Sequence, residues 1–161
     1  MIQVRNVKME DLPELMTIEN LCFTKEEAAT EEAFIKRIQV IPDSFFVAEE
    51  EGRILGLVNG PVIQQPYITD DLFQEIKANP ETSGHQSILG LAVSPAFQKR
   101  GIASRLLTHI EKEAKAKKRE TITLTCKENL IPFYQRHGYI NEGVSNSEYG
   151  GVTWYNMVKK L

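Results

Sequence analysis

The chain reads as one α/β domain over residues 1–161, a mixed β-sheet carrying helices on its faces. Three observations predict this. Short apolar, β-branched runs alternate with segments of helical periodicity. Gly, Pro and Asn signals separate the runs. A hydrophobic content of 42% with 25% charged residues suits a globular core, and a chain of this size buries about 68–70% of its unfolded surface.

The elements follow in order. Residues 2–6 form a short strand. Residues 9–21 place Leu12, Leu15, Met16 and Ile18 at helical spacing, with Glu10, Asp11 and Pro13 at the start. Thr30 caps a second helix running to about Val40. Residues 44–49 and 53–60 make a hairpin across Glu51-Gly52. Residues 69–78 read as a short acidic helix or ordered loop. A strand over 87–93 leads into a long amphipathic helix over 100–118. The run Thr121-Ile122-Thr123-Leu124-Thr125-Cys126 is a buried strand, residues 129–137 a short helix, and 138–144 with 152–158 a closing hairpin around Gly150-Gly151. The order βααββ(α)βαβαββ gives a central mixed sheet of about seven strands flanked by about four or five helices. No repeat or low-complexity segment interrupts it.

Composition narrows the function. No apolar run approaches the roughly 18 residues that span a bilayer, and Met1-Ile2-Gln3-Val4-Arg5 lacks the apolar core of a secretory signal. Cys22 and Cys126 make neither a disulfide framework nor a metal cluster. A cytoplasmic protein with no metal and no membrane partner is expected. The net charge of −3 argues against general nucleic-acid binding. The halves differ, though: residues 1–80 hold 7 basic and 15 acidic residues, residues 81–161 hold 12 and 7. An acidic and a basic half can present a cation and a polyanion to one cleft.

The most informative stretch runs from Ser87 to Ser104. An apolar strand enters a Pro-broken turn, then the loop Gln98-Lys99-Arg100-Gly101-Ile102-Ala103, then the long helix. Free backbone N–H groups at a helix start, beside two cations, suit a pyrophosphate. Gly101 and Ala103 lack bulk, so backbone amides can approach the phosphates, and Gln98, Lys99, Arg100 and Ser104 add donors. Two cations at a helix N-terminus oppose its dipole unless an anion sits there. Lys112, Lys115, Lys117, Lys118 and Arg119 complement the far end of that helix.

That loop matches the [RQ]-x-x-G-x-[GA] phosphate motif of the GNAT superfamily of acetyl-CoA-dependent N-acetyltransferases, which this chain resembles over nearly its whole length. The segment Asn129-Leu130-Ile131-Pro132-Phe133-Tyr134-Gln135-Arg136-His137-Gly138-Tyr139 resembles the helix that flanks the cofactor thiol in that family. A closer likeness is to the arylalkylamine (serotonin) N-acetyltransferase branch. It rests on Cys22-Phe23-Thr24-Lys25-Glu26-Glu27-Ala28-Ala29-Thr30, on residues 51–60 and on Ile131-Pro132-Phe133-Tyr134. One departure stands out: vertebrate members of the branch carry two histidines where this chain has Ser87 and Leu89.

The resemblance implies acetyl transfer from acetyl-CoA to a primary amine of a small molecule by direct attack in a ternary complex. It implies that the cofactor arm adds to the strand at Leu91, Ala92 and Val93, that Ile102 and the rest of the loop hold the pyrophosphate, and that Asn129, Phe133 and Arg136 lie along the cofactor. Asn129 reads equally as a helix cap, and Phe133 as core. By resemblance Tyr134 is the acid that protonates the thiolate. The base is open. Ser87 can hold a water, and His85 sits on the same strand face by alternation. Glu49, Asp70, Asp71 and Glu75 are further carboxylates able to draw in an ammonium. His109 and His137 read as helix-face and capping residues. Cys126 reads as core, which argues against an acyl-enzyme. A polyamine, an aminoglycoside and a protein N-terminus remain alternative acceptors, and a non-catalytic acyl-CoA sensor an alternative function. Homodimerisation through the closing strands, common in the family, is left open.

Overall fold

A computed structural model describes residues 1–73, 75–147 and 149–161, with the side chain of Tyr149 also outside the description. The mixed α/β class predicted above is the class observed, but the sheet is split in two. Strands β1 (Gln3–Asn6), β2 (Phe45–Glu50), β3 (Arg53–Asn59) and β6 (Gly90–Val93) form one sheet, in the order β1-β2-β3-β6. Strands β4 (Val62–Ile63), β5 (His85–Ile88), β7 (Thr121–Cys126), β9 (Tyr155–Lys160) and β8 (Ile140–Val144) form the other, in the order β4-β5-β7-β9-β8. Among the described residues four α-helices accompany them: α1 (Leu12–Cys22), α2 (Glu31–Val40), α3 (Ile102–Ala116) and α4 (Ile131–Arg136). The expected acidic helix over 69–78 is a single 3-10 turn at Asp70–Phe73.

Local chemistry explains the boundaries. Pro13 stands in the first turn of α1, where its missing N–H costs nothing. Thr30 accepts the Ala33 N–H at 3.1 Å and caps α2 as expected. Glu51 and Gly52 both take left-handed backbone, the geometry a two-residue hairpin turn needs between β2 and β3. On β2 alternate residues face opposite ways: Phe46 and Ala48 pack with Leu106, Leu107 and Ile110 of α3, while Phe45 and Val47 pack with Leu15 of α1 and Phe34 of α2. The first sheet therefore carries a core on each face.

The expected single strand over 87–93 is two strands broken at Leu89. β5 pairs in parallel with β7, β6 antiparallel with β3, so the chain changes sheets at that residue. A seam holds the change in place. The Ser87 N–H donates to Pro61 O at 3.1 Å and the Leu89 N–H to Asn59 O at 2.8 Å. Gly60 lies so close that a Cβ there would sit 2.1 Å from Ser87 O. Beyond the seam β6 and β7 diverge and leave a cleft between them.

The N-terminal edge is tied down by charge. Arg5 donates from both terminal nitrogens to Asp11 at 2.9 Å, and to Glu49 at 2.8 Å, joining β1, the start of α1 and β2. Asp11 also accepts the Lys8 N–H at 2.8 Å. Burial pushes the Asp11 carboxyl up, but the Arg5 and Lys8 hydrogen bonds outweigh it and hold the group below its ordinary 3.8. A depressed native value means that the stabilisation is present above 3.8 and is lost as pH falls through the folded value. Asp11→Asn is expected to lower stability by about 1–3 kcal/mol at neutral pH. Urea melts taken down to pH 3 test this, and the gap from wild type should close below about pH 4.

Candidate active site

Two cavities open in the cleft between β6 and β7, and they meet. The first holds about 350 Å³ and is walled by Leu91, Val93, Gln98, Lys99, Gly101 to Ser104, Leu130, Phe133 and Tyr134. The second is tighter, about 100 Å³, and lies toward α1, with Glu19, Phe23, Phe73, Leu124, Cys126 and Trp154 among its walls. Leu91, Leu130 and Tyr134 belong to both. A molecule lying along the first cavity therefore ends at Tyr134, facing whatever occupies the second.

The first cavity is built for an anion at its outer end. Lys99 at φ 65° and Gly101 at φ 76° are left-handed, which winds the loop tightly ahead of α3. A Cβ on Gly101 would touch nothing within 4 Å, so glycine stands there for its backbone and not for space. Lys99 forms no ion pair among the described residues. The Ser104 hydroxyl lies 3.1 Å from His137 Nε2, tying α3 to the end of α4. Small residues, backbone at a helix start and an uncommitted cation are the surroundings a pyrophosphate needs.

Tyr134 sits on α4 at the junction, 7% exposed, with its ring edge-on to Phe133 and Tyr139. Desolvation pushes its phenol well above the ordinary value of 10, with Cys126 adding to the shift. At neutral pH it is a proton donor, not a base. Cys126 is itself buried, and desolvation raises its thiol to about 11. Cys22, on α1, donates its S–H to Val93 O at 3.2 Å.

Among the cofactor contacts expected from sequence, Leu91, Val93, Gln98, Lys99, Gly101, Ile102, Ala103, Ser104 and Phe133 line the first cavity. Four others do not. Ala92 turns its methyl into the core with Leu15 and Phe34. Arg100 ion-pairs with Glu50 at 3.3 Å and lies over the Phe97 ring. Asn129 is exposed on a 3-10 turn, and Arg136 is exposed on α4.

Ser87 and His85 lie away from both cavities, and the reasons are physical. The Ser87 side chain is fully buried and donates to Pro61 O at 2.6 Å, so it serves the seam and holds no water in the cleft. His85 lies toward the far end of β5, with Nδ1 2.8 Å from Thr121 Oγ1 and Nε2 3.6 Å from Glu120. Glu49 is held by Arg5. Asp70, which accepts from Ser147 at 2.5 Å, Asp71, which accepts from Thr69, and Glu75 are exposed on the outer loop. Among the residues that line the second cavity, sequence reasoning missed Glu19. A signal was available: it falls four residues after Leu15 and three after Met16, an acid on the apolar stripe of α1.

Comparison with known proteins agrees with this geometry. The sequence profile of the acetyltransferase (GNAT) family matches residues 12–139. An uncharacterised N-acetyltransferase, ycf52, from Gracilaria tenuistipitata var. liui is 28% identical over 107 residues. That match covers 59% of this chain and spans only 56% of the relative's own length. The fold is similar to the loading GNATL domain of CurA from Lyngbya majuscula (TM-score 0.82, 19% identity, 99% of this chain and 98% of that one). It is also similar to the GphF GNAT-like decarboxylase in complex with isobutyryl-CoA (TM-score 0.84, 19% identity, 98% of both chains). A third similar fold is Chaetomium thermophilum Naa20 in complex with a bisubstrate analogue (TM-score 0.76, 24% identity, 99% and 86%).

The raised thiol of Cys126 has a measurable consequence. With a value near 11 against an ordinary 9.0, it carries about a hundredth of the usual thiolate at neutral pH. Iodoacetamide labelling of the native protein at pH 7.5, read by mass spectrometry, should modify Cys126 about 100-fold more slowly than in urea. By profile, fold and paired cavities together, this chain is a member of the GNAT acetyltransferase family.

Proposed function

We propose that the chain transfers an acetyl group from acetyl-CoA to the primary amine of a small molecule, by direct attack with both substrates bound. The observation that carries this reading is the meeting of the two cavities at Tyr134. The residues fit the donor: the loop from Gln98 to Ser104 suits the pyrophosphate, and the channel past Leu91 and Phe133 suits the pantetheine arm. The GphF neighbour's bound isobutyryl-CoA supports a CoA thioester as donor.

Acetyl-CoA, when bound, supplies the acetyl group and the thiol leaving group, a C–N bond forming as the C–S bond breaks. The chain does the rest. Orientation at the junction holds the reactants in attacking geometry, a large part of the acceleration in such transfers. Tyr134 gives its hydroxyl proton to the departing sulfur, and the proton shed by the acylated nitrogen restores the phenol. An acyl-enzyme on Cys126 is disfavoured by its raised thiol. The acceptor cavity is small, and its walls set Phe23, Phe73 and Trp154 beside the charged side chains of Glu19, Glu27 and Arg37. Its size and its aromatic side favour a compact amine, of the arylalkylamine kind, over an aminoglycoside.

The test is acetyl-CoA-dependent thiol release against a panel of primary amines. Tyr134→Phe is expected to lower turnover about 10²- to 10⁴-fold while acetyl-CoA binding by calorimetry stays near wild type. Equal turnover in the two proteins removes Tyr134 from the acid role.

A further inference from the structure

Ser104, in the first turn of α3, lines the larger cavity beside Lys99 and Gly101. Its hydroxyl lies 3.1 Å from His137 Nε2 and makes no other hydrogen bond among the described residues. His137 is the residue at which α4 ends: its N–H donates to Tyr134 O at 3.0 Å, and Gly138, at φ 91°, turns the chain away. The imidazole is thereby carried to α3, with the Phe133 ring 4.7 Å from it. Phe133 and Ser104 are walls of the cavity; His137 stands behind them.

The contact can be made in two ways, opposite in effect. In one, Nε2 carries the hydrogen and donates to Ser104 Oγ, and the hydroxyl hydrogen is free to point into the cavity as a donor. In the other, the hydroxyl donates to a bare Nε2, and the cavity meets only oxygen lone pairs, which repel an anion. Nδ1 makes no hydrogen bond among the described residues, so no second contact of the ring chooses the tautomer.

We infer that His137 is a positioning residue for the donor's pyrophosphate: with the hydrogen on Nε2 it turns the Ser104 hydroxyl toward the phosphate oxygens. The inference rests on the reading of this cavity as the acyl-CoA site and extends it to a residue outside the cavity. A bound phosphate selects the arrangement, because its oxygens accept and a charge-assisted hydrogen bond is stronger than a neutral one. Imidazole to hydroxyl to phosphate is then a chain of bonds that polarise one another in the same direction. Lys99 brings charge to that wall on a flexible stem. Ser104, fixed by its helix and by His137, brings direction.

The experiment is a double-mutant cycle on CoA affinity, read by calorimetry for wild type, Ser104→Ala, His137→Asn and the double variant. Ser104→Ala is expected to weaken CoA binding about 10-fold, as the loss of a hydrogen bond to a charged group does. His137→Asn, too short to reach the hydroxyl, should weaken it about 5-fold when Ser104 is present and leave it unchanged in the Ser104→Ala background. His137→Gln, whose amide nitrogen falls where Nε2 stood, should bind CoA nearly as wild type does. A loss that persists without the Ser104 hydroxyl means that His137 only ties α3 to α4, and overturns the inference. So does a His137→Gln variant as weak as His137→Asn.

A second measurement needs no variant. His137 is one of three histidines, and long-range proton–nitrogen NMR of the imidazoles separates a protonated Nε2 from a bare one. In the CoA complex the His137 Nε2 should carry the hydrogen; a bare Nε2 there overturns the inference. CoA that fails to bind wild type removes the donor reading and the inference with it. CoA that binds, with no coupling between Ser104 and His137, keeps the donor reading and removes His137 alone.

Discussion

The site depends on a change of sheet within one residue. At Leu89 the chain leaves the sheet it shares with β7 and enters the one it shares with β3. Two backbone hydrogen bonds, from Ser87 to Pro61 and from Leu89 to Asn59, fix where that happens. Gly60 is the contact that permits it, because any side chain there would collide with the Ser87 carbonyl. Downstream, β6 is a sheet edge inside the molecule. An internal edge with unpaired backbone is a liability in most folds, relieved by covering or pairing it. Here the edge borders the cleft, and an extended donor arm is the partner it suits.

Everything chemical is arranged around that opening. The α3 end contributes polar backbone and Lys99; the α4 end contributes Tyr134 at the junction; the α1 side contributes Glu19. Tyr134 and Glu19 both line the second cavity, each from its own helix. Burial acts on both in the same direction, raising Tyr134 and Glu19 alike. For the phenol that keeps its proton in place at neutral pH. For the carboxylate it disfavours the charged form, against the pull of the Ala29 amide and of Arg37.

What sequence made legible follows from how local each feature is. The phosphate loop was readable because it is one contiguous run, with Gly101 and Ala103 at positions where backbone does the work. The strand before it was readable in composition but not in its break, since Leu89 looks like any apolar strand residue. That break undid the reading of Ser87 and His85. Alternation places Ser87 on the face of Leu89 and Leu91, but at Ser87 the segment from Gly60 to Ile63 lies alongside, and Pro61 takes the hydroxyl. Arg100 misled for another reason. Its charge suits a phosphate, yet Glu50 and Phe97, distant in sequence, already engage it.

The acceptor side was hidden because no contiguous run builds it. Residues 19 and 23 come from the end of α1, and 73, 126 and 154 from three further segments, and only the fold brings them to one wall. Glu19 shows the difficulty sharply. A glutamate inside a helix is ordinary, and one on the apolar stripe is either a buried error or a functional group. Sequence cannot separate these, because the difference lies in what stands opposite. The structure answers it. One oxygen is spent on the Ala29 amide, a purely architectural bond, and the other is buried with no hydrogen-bond partner among the described residues. A carboxylate kept only for architecture needs one acceptor oxygen, which an amide side chain supplies without the cost of burying charge. The charge has a counterpart within the fold: the buried Arg37 guanidinium, on the same cavity wall, pulls the Glu19 carboxyl down against the lift of burial.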